Sequence, residues 1–172
     1  MPTVKKSIEV NVPVRIAYDQ WTQFEVFPRF MEGVEAVQQL DDKRLHWRAK
    51  IAGKVEEWDA DIVEQVPDRV ISWRSTSGAR NQGTVRFAPL GDNKTRIELE
   101  MHWEPKDVTE RVGDVLGADD LRIQGDLERF KKFIEELRTP TGGWRGEIHG
   151  DRVEGERAEE DQEAGTGHRP RS

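Results

Sequence analysis

Thr95-Arg96-Ile97-Glu98-Leu99-Glu100-Met101-His102-Trp103 alternates without a break, with Ile97, Leu99, Met101 and Trp103 on one side and Arg96, Glu98, Glu100 and His102 on the other. A period of two belongs to a strand with one buried and one solvated face. Pro105 stops the run, and the spacing changes. Val108, Val112, Val115 and Leu116 lead into Ile123, Leu127, Phe130, Ile134 and Leu137, the latter at intervals of three and four throughout. That is one apolar stripe of a long helix over residues 108–137. Its first half carries Gly113 and Gly117, each weakening a helix by about 1 kcal/mol relative to Ala. A helix that tolerates this has something close against it.

Upstream, the same alternation recurs. Val4, Ile8, Val10 and Val12 mark a first strand, ended by Pro13. Residues 14–22 read as a short helix with Val14, Ile16, Ala17 and Trp21 inward, and residues 24–31 as a second, interrupted by Pro28 and closed by Gly33. Strands follow over 34–40, 44–52, 54–66 and 70–75. The third of the chain, residues 44–52, sets Leu45, Trp47, Ala49 and Ile51 against Arg44, His46, Arg48 and Lys50. Trp58, Ala60 and Ile62 share a face, as do Ile71 and Trp73, and then Gly83, Val85 and Phe87. Pro67-Asp68-Arg69 and Gly91-Asp92-Asn93-Lys94 carry turn and hairpin chemistry. Clean alternation of this kind is what an antiparallel sheet with one wet face requires.

The 172 residues suffice for one domain with a core. Apolar residues make up 34% and charged residues 35%, so part of the chain is expected not to pack. The expected division is a domain over 1–138, an extension over 139–151 docked through Trp144, and a disordered acidic tail over 152–172. A formal net charge of -7 argues against nucleic acid as partner and against electrostatic docking on anionic lipid. With no cysteine there is no disulfide, thiol nucleophile or zinc–thiolate site. The polar opening reads as neither a signal peptide nor a membrane span, so the expected location is cytoplasmic. Four scattered histidines, His46, His102, His149 and His168, do not converge on a metal, and no cofactor motif occurs.

The order strand, two short helices, six strands, long helix is that of the helix-grip fold. The sequence also resembles the polyketide cyclase/dehydrase-like branch of the START-like (SRPBCC) superfamily. The resemblance runs through Val12-Pro13-Val14 to Trp21, Phe24-Glu25-Val26-Phe27-Pro28-Arg29-Phe30-Met31, Ile71-Ser72-Trp73-Arg74-Ser75 and Gly78-Ala79-Arg80-Asn81-Gln82-Gly83. It continues through Gly125-Asp126-Leu127 and Thr141-Gly142-Gly143-Trp144-Arg145-Gly146-Glu147. It implies an α+β helix-grip domain, with a curved antiparallel sheet of about seven strands around a long C-terminal helix. Members include aromatase/cyclases acting on polyketides, coenzyme-Q-binding proteins and many bacterial proteins of unassigned role, so fold does not fix function.

If the sheet curls around the helix as the resemblance implies, Trp47, Trp58, Trp73 and Trp103 point inward. With Phe87 and Met101 they line a cavity facing Leu116, Asp120 and Gln124 of the helix. Six tryptophans against one tyrosine is an unusual balance, and large flat surfaces serve either a core or a flat ligand. Four indoles facing a helix thinned by two glycines favour an apolar ligand site. Glu56, Ser75, Asp120 and Gln124 are the polar groups able to reach it, and Arg74 and Arg86 fall on the outer face. No catalytic set emerges. The leading expectation is a carrier or chaperone of a polyketide-, quinone- or lipid-like molecule. The alternatives are an aromatase/cyclase, which needs an ionisable group of shifted pKa inside the cavity, and a protein-interaction module working through Trp144 and the tail.

Overall fold

The computed structural model describes the backbone of residues 3–51, 53–78, 80–103, 112–150 and 152–155, with side chains throughout except at 51, 103 and 112–121. Strand β1 (Thr3–Val10) leads to Pro13, whose carbonyl accepts the Ile16 and Ala17 N–H groups at 3.0 and 3.2 Å and so opens α1 (Val14–Trp21). Pro suits this place because its fixed φ and missing N–H cost a helix start nothing. A 3-10 helix (Phe24–Arg29) contains Pro28. Then come β2 (Val34–Gln39), β3 (Arg44–Ile51), β4 (Lys54–Val66), β5 (Val70–Gly78), β6 (Asn81–Gly91) and β7 (Lys94–Trp103). Helix α2 (Val112–Leu137) follows, and β8 (Glu147–His149) and β9 (Arg152–Glu154) complete the described chain. No helix among the described residues is long and apolar enough to cross a membrane.

The sheet is antiparallel in the order β1-β7-β6-β5-β4-β3-β2. These seven strands match the expected count, but β8 pairs with β4 and β9 with β8, making nine. Three-residue strands show too little alternation to be read as strands. Pairing also runs through Arg152–Glu154, past the boundary at 152 where the tail was expected to begin.

The inward parity of the strands is the one read from the sequence: Leu45, Trp47, Ala49, Trp58, Ala60, Ile62, Ile71, Val85, Phe87, Ile97 and Leu99 are all buried. One shift was not legible. A register break between Ile62 and Glu64 turns Gln65 inward, where it is 1% exposed and its Nε2 donates to the Tyr18 hydroxyl at 3.0 Å. Helix α2 lays Ile123, Leu127, Phe130 and Ile134 onto this face. Leu137, expected to end the stripe, is exposed, because Arg138 (φ 59) reverses the chain at the helix end.

The extension is tied to α1 by name. Gln20 donates to the Thr141 hydroxyl (3.1 Å) and accepts the Thr141 N–H (2.8 Å), and the Trp144 N–H donates to Thr22 Oγ1 (3.2 Å). Trp144 is buried in the same core as the sheet. The Arg145 guanidinium bonds Asp19, pairs with Asp68 at 2.7 Å and lies 5.4 Å from the Tyr18 ring centroid. At Gly146 a Cβ would stand 2.4 Å from the Trp144 ring, so only glycine lets that ring seat.

Candidate functional site

Between the inner sheet face, the 3-10 helix and α2 lies a cavity of about 100 Å³. Trp21, Phe24 and Phe27 form one side, and Leu45, Trp47, Trp58, Ile62, Trp73 and Met101 the sheet wall. Ile123 and Leu127 close it from α2, and its polar members among the described residues are Glu32, Asn81, Arg122 and Asp126. Behind this wall, Trp21 packs edge-on against Phe130 (4.9 Å) and Phe27 (5.7 Å), and Phe30 against Phe130 (5.1 Å). Edge-to-face geometry of this kind adds about 0.5–1.5 kcal/mol per pair beyond area burial.

Two features of the sheet wall come from register. Trp47 and Trp58 are direct partners across β3 and β4, and their rings stack at 5.8 Å with planes 6° apart. Both are more than nine-tenths buried, and neither indole N–H has an acceptor among the described residues. A buried donor left without a partner costs about 1–3 kcal/mol. Trp73 is the partner of Gly83 on β6, and a Cβ there would lie 2.4 Å from the Trp73 ring. Glycine therefore lets the indole lie against the neighbouring strand.

The polar end is built by one face of α2. Asp126 Oδ1 accepts the Glu32 N–H at 2.9 Å and a bond from Arg129 Nη2, while Arg129 Nε donates to the Phe30 carbonyl at 2.9 Å. One turn earlier, Arg122 packs over Gly33, whose φ of 94 favours glycine. Burial pushes the Asp126 carboxyl up to about 6, against the opposing pull of Arg129, the Glu32 N–H and Arg122. It is thus a carboxyl at the edge of an apolar cavity that exchanges its proton near pH 6 rather than near 4, as an acid or base there requires.

Of the expected wall residues, Trp47, Trp58, Trp73 and Met101 line the cavity. Phe87 does not: it packs edge-on against Tyr18 (5.3 Å) and Trp21 (6.2 Å), because its end of β6 lies over α1. Gln124 is also elsewhere, bonded to Glu128 at 3.2 Å, since it sits one residue round the helix from Ile123. The side chains of Trp103, Leu116 and Asp120 lie outside those described. Glu56 is half-buried and not part of the wall, and Ser75 accepts the Asn81 N–H at 3.0 Å. Arg86 faces outward as parity required, within 3.4 Å of Glu100. The sequence reading missed Asp126, although a place three after Ile123 and four before Phe130 puts it on the buried stripe.

A model of the family described as polyketide cyclase / dehydrase and lipid transport matches residues 10–132. An uncharacterized 17.2 kDa protein in the melC2-rnhH intergenic region of Streptomyces lincolnensis is 50% identical over 149 residues, spanning 86% of this chain and 99% of that protein. A START superfamily protein of Mycobacterium smegmatis superposes with a TM-score of 0.71 at 15% identity, over 78% of this chain and 98% of that one. The Zhui aromatase/cyclase of Streptomyces sp. R1128 gives 0.66 at 16% identity, over 83% and 98%. At these identities the two structures speak for the fold.

Proposed function

Because the chain belongs to the polyketide cyclase / dehydrase and lipid transport family, we propose that it binds a hydrophobic small molecule in the cavity between sheet and α2, as a carrier or chaperone. The observation that carries this reading is the wall itself: among the described residues it is aromatic and aliphatic on nearly every side, with few polar groups, gathered at Asn81 and around Asp126. Such a surface grips apolar area and uses a small number of polar contacts to orient it. Trp47, Trp58, Trp73 and Met101 are the contacts proposed for the ligand. A volume of about 100 Å³ is below the roughly 300–1,000 Å³ usual for ligand sites. The ligand is therefore compact, or the wall parts to admit it, and Met31 and Met101 are the flexible members best able to move.

Tryptophan-fluorescence titration with menadione, 2-naphthol and palmitate tests this and separates quinone-like, aromatic and lipid ligands. Saturable quenching by one class, weakened at least fivefold in a folded Trp73→Ala variant, supports the proposal. Three flat titrations would remove it.

A second reading, an aromatase/cyclase, is favoured by one observation. Asp126 is the ionisable group of shifted pKa at the cavity, hydrogen-bonded by Arg129 and near Arg122. In an enzyme it would donate or accept a proton at a ketone of a poly-β-ketone chain. Asp126→Asn should then stop cyclisation of such a chain while leaving its binding intact. Unchanged turnover in that variant would remove Asp126 from the chemistry, and no turnover by the unaltered chain would return the protein to the carrier reading.

A further inference from the structure

Most of the cavity wall is locked into strand ladders or the buried face of α2, and one stretch is not. Met31, Glu32, Gly33 and Val34 are consecutive residues that line the cavity and also reach solvent, the Glu32 side chain being 77% exposed. Met31, Glu32 and Gly33 join the 3-10 helix to β2 and belong to neither. Two side chains of α2 fasten this segment. Asp126 Oδ1 accepts the Glu32 N–H at 2.9 Å, and Arg129 Nε donates to the Phe30 carbonyl at 2.9 Å while its Nη2 donates to Asp126. At the other end the Lys50 N–H of β3 donates to the Gly33 carbonyl at 2.6 Å, and Gly33 itself is in the left-handed region, φ 94. The segment is therefore pinned to the sheet at Gly33 and clipped to the helix at Asp126. Widening the sheet would break a ladder of strand bonds, whereas releasing the clip breaks the bonds at Glu32 and Phe30.

We propose that this segment is the door of the cavity: Met31 and Glu32 swing outward about Gly33, and ionisation of Asp126 is what releases them. This deepens the small-molecule reading and rests on it, since a volume of about 100 Å³ has to grow before a ligand of ordinary size enters. The sign follows from what the segment covers. Closed, it helps keep the carboxyl 8% exposed, where a charge is poorly solvated; parted, it gives that carboxyl to water. The closed state thus binds the proton more tightly, and losing the proton favours the open one. The charged groups facing Asp126 are Arg129 and Arg122 on α2 and Glu32 on the segment, whose carboxylate lies 3.8 Å from Arg129. Arg29 of the 3-10 helix lies over the Phe133 ring instead, 5.4 Å from its centroid, and Lys50 of β3 is exposed. Both arginines of α2 stay with Asp126 when the segment moves, so the changes are burial and the Glu32 N–H bond. Burial is the larger of these, because it lifts the carboxyl to about 6 against the pull of that bond.

Hydrogen–deuterium exchange of the full chain at pH 5 and pH 7.5, read by mass spectrometry and corrected for intrinsic rates, tests the door without a ligand. A carboxyl that titrates near 6 when covered and near its ordinary 3.8 when hydrated makes opening about tenfold more favourable at the higher pH. Protection over residues 31–34 should therefore fall about tenfold, while peptides from β6 and β7 stay protected in the same samples. In Asp126→Asn the protection should be level between the two pH values. Entry is followed by stopped-flow quenching with 2-naphthol, which is uncharged over this range. Its association should quicken by the same factor in the parent and not in the variant. Level protection in the parent, an equal fall in the variant, or a fall shared by β6 and β7 overturns the proposal. So does 2-naphthol entry that ignores pH while the segment responds. Absence of 2-naphthol binding at either pH counts against the small-molecule reading, and exchange alone then decides whether the segment opens. Should the variant fail to fold, the parent's own profile still decides.

Discussion

Asp126→Asn offers a measurement in which the structure fixes both the sign and the size. The carboxyl is 8% exposed and burial lifts it from its ordinary 3.8 to about 6. In the unfolded chain it loses its proton near pH 4, whereas in the folded chain it keeps it to about pH 6. Between those values the folded state binds more protons than the unfolded, so stability falls as pH rises. A difference of roughly two units corresponds to about 3 kcal/mol, in full by about pH 6.5. Asparagine keeps an oxygen for the Glu32 and Arg129 donors but has nothing to ionise. Urea unfolding of both proteins from pH 3.5 to 7.5 isolates the effect, because every other titrating group cancels in the difference. The variant should gain on the parent by about 3 kcal/mol across pH 4–6.5 and hold that gain above. A flat difference would show that the carboxyl is not desolvated. A difference of opposite slope would show that the Arg129 pair outweighs burial.

Other outcomes follow from the same contacts. Trp144→Ala should cost about 3–5 kcal/mol in thermal or urea unfolding, since the ring is buried in the main core. Arg145→Met should cost about 3 kcal/mol at pH 7 by taking the guanidinium from Asp19 and Asp68 and leaving buried Asp19 only the more distant, exposed Arg15, and the loss should shrink in acid as Asp19 protonates. Gly83→Ala should displace the Trp73 ring, read as a shifted fluorescence maximum, because the new Cβ would stand 2.4 Å from it.

Much of the architecture was written in periodicity. The switch at Pro105 from period two to intervals of three and four gave the last strand and the long helix, and alternation gave the inward face of each long strand. What escaped was whatever breaks a period. The register shift after Ile62 exchanges the roles of neighbouring residues, so Gln65 becomes core. Strands β8 and β9 are too short to alternate. For the cavity, parity found Trp47, Trp58, Trp73 and Met101 because each lies on a regular strand segment. It misplaced Phe87, since parity assigns a face of the sheet but not which helix covers that end of it. Asp126 was overlooked for its charge, although its spacing put it on the buried stripe. The partnering of Trp47 with Trp58 depends on strand register, which hairpin length alone does not settle.

The central claim is that the aromatic-walled cavity is where an apolar ligand sits. It is tested most directly by native mass spectrometry of the purified full chain incubated with 1-tetralone, beside an Ala49→Phe variant shown to be folded, whose added ring occupies the cavity. The account predicts one bound molecule on the unaltered chain and none on the variant. Equal adducts on both, or none on the unaltered chain, would contradict it.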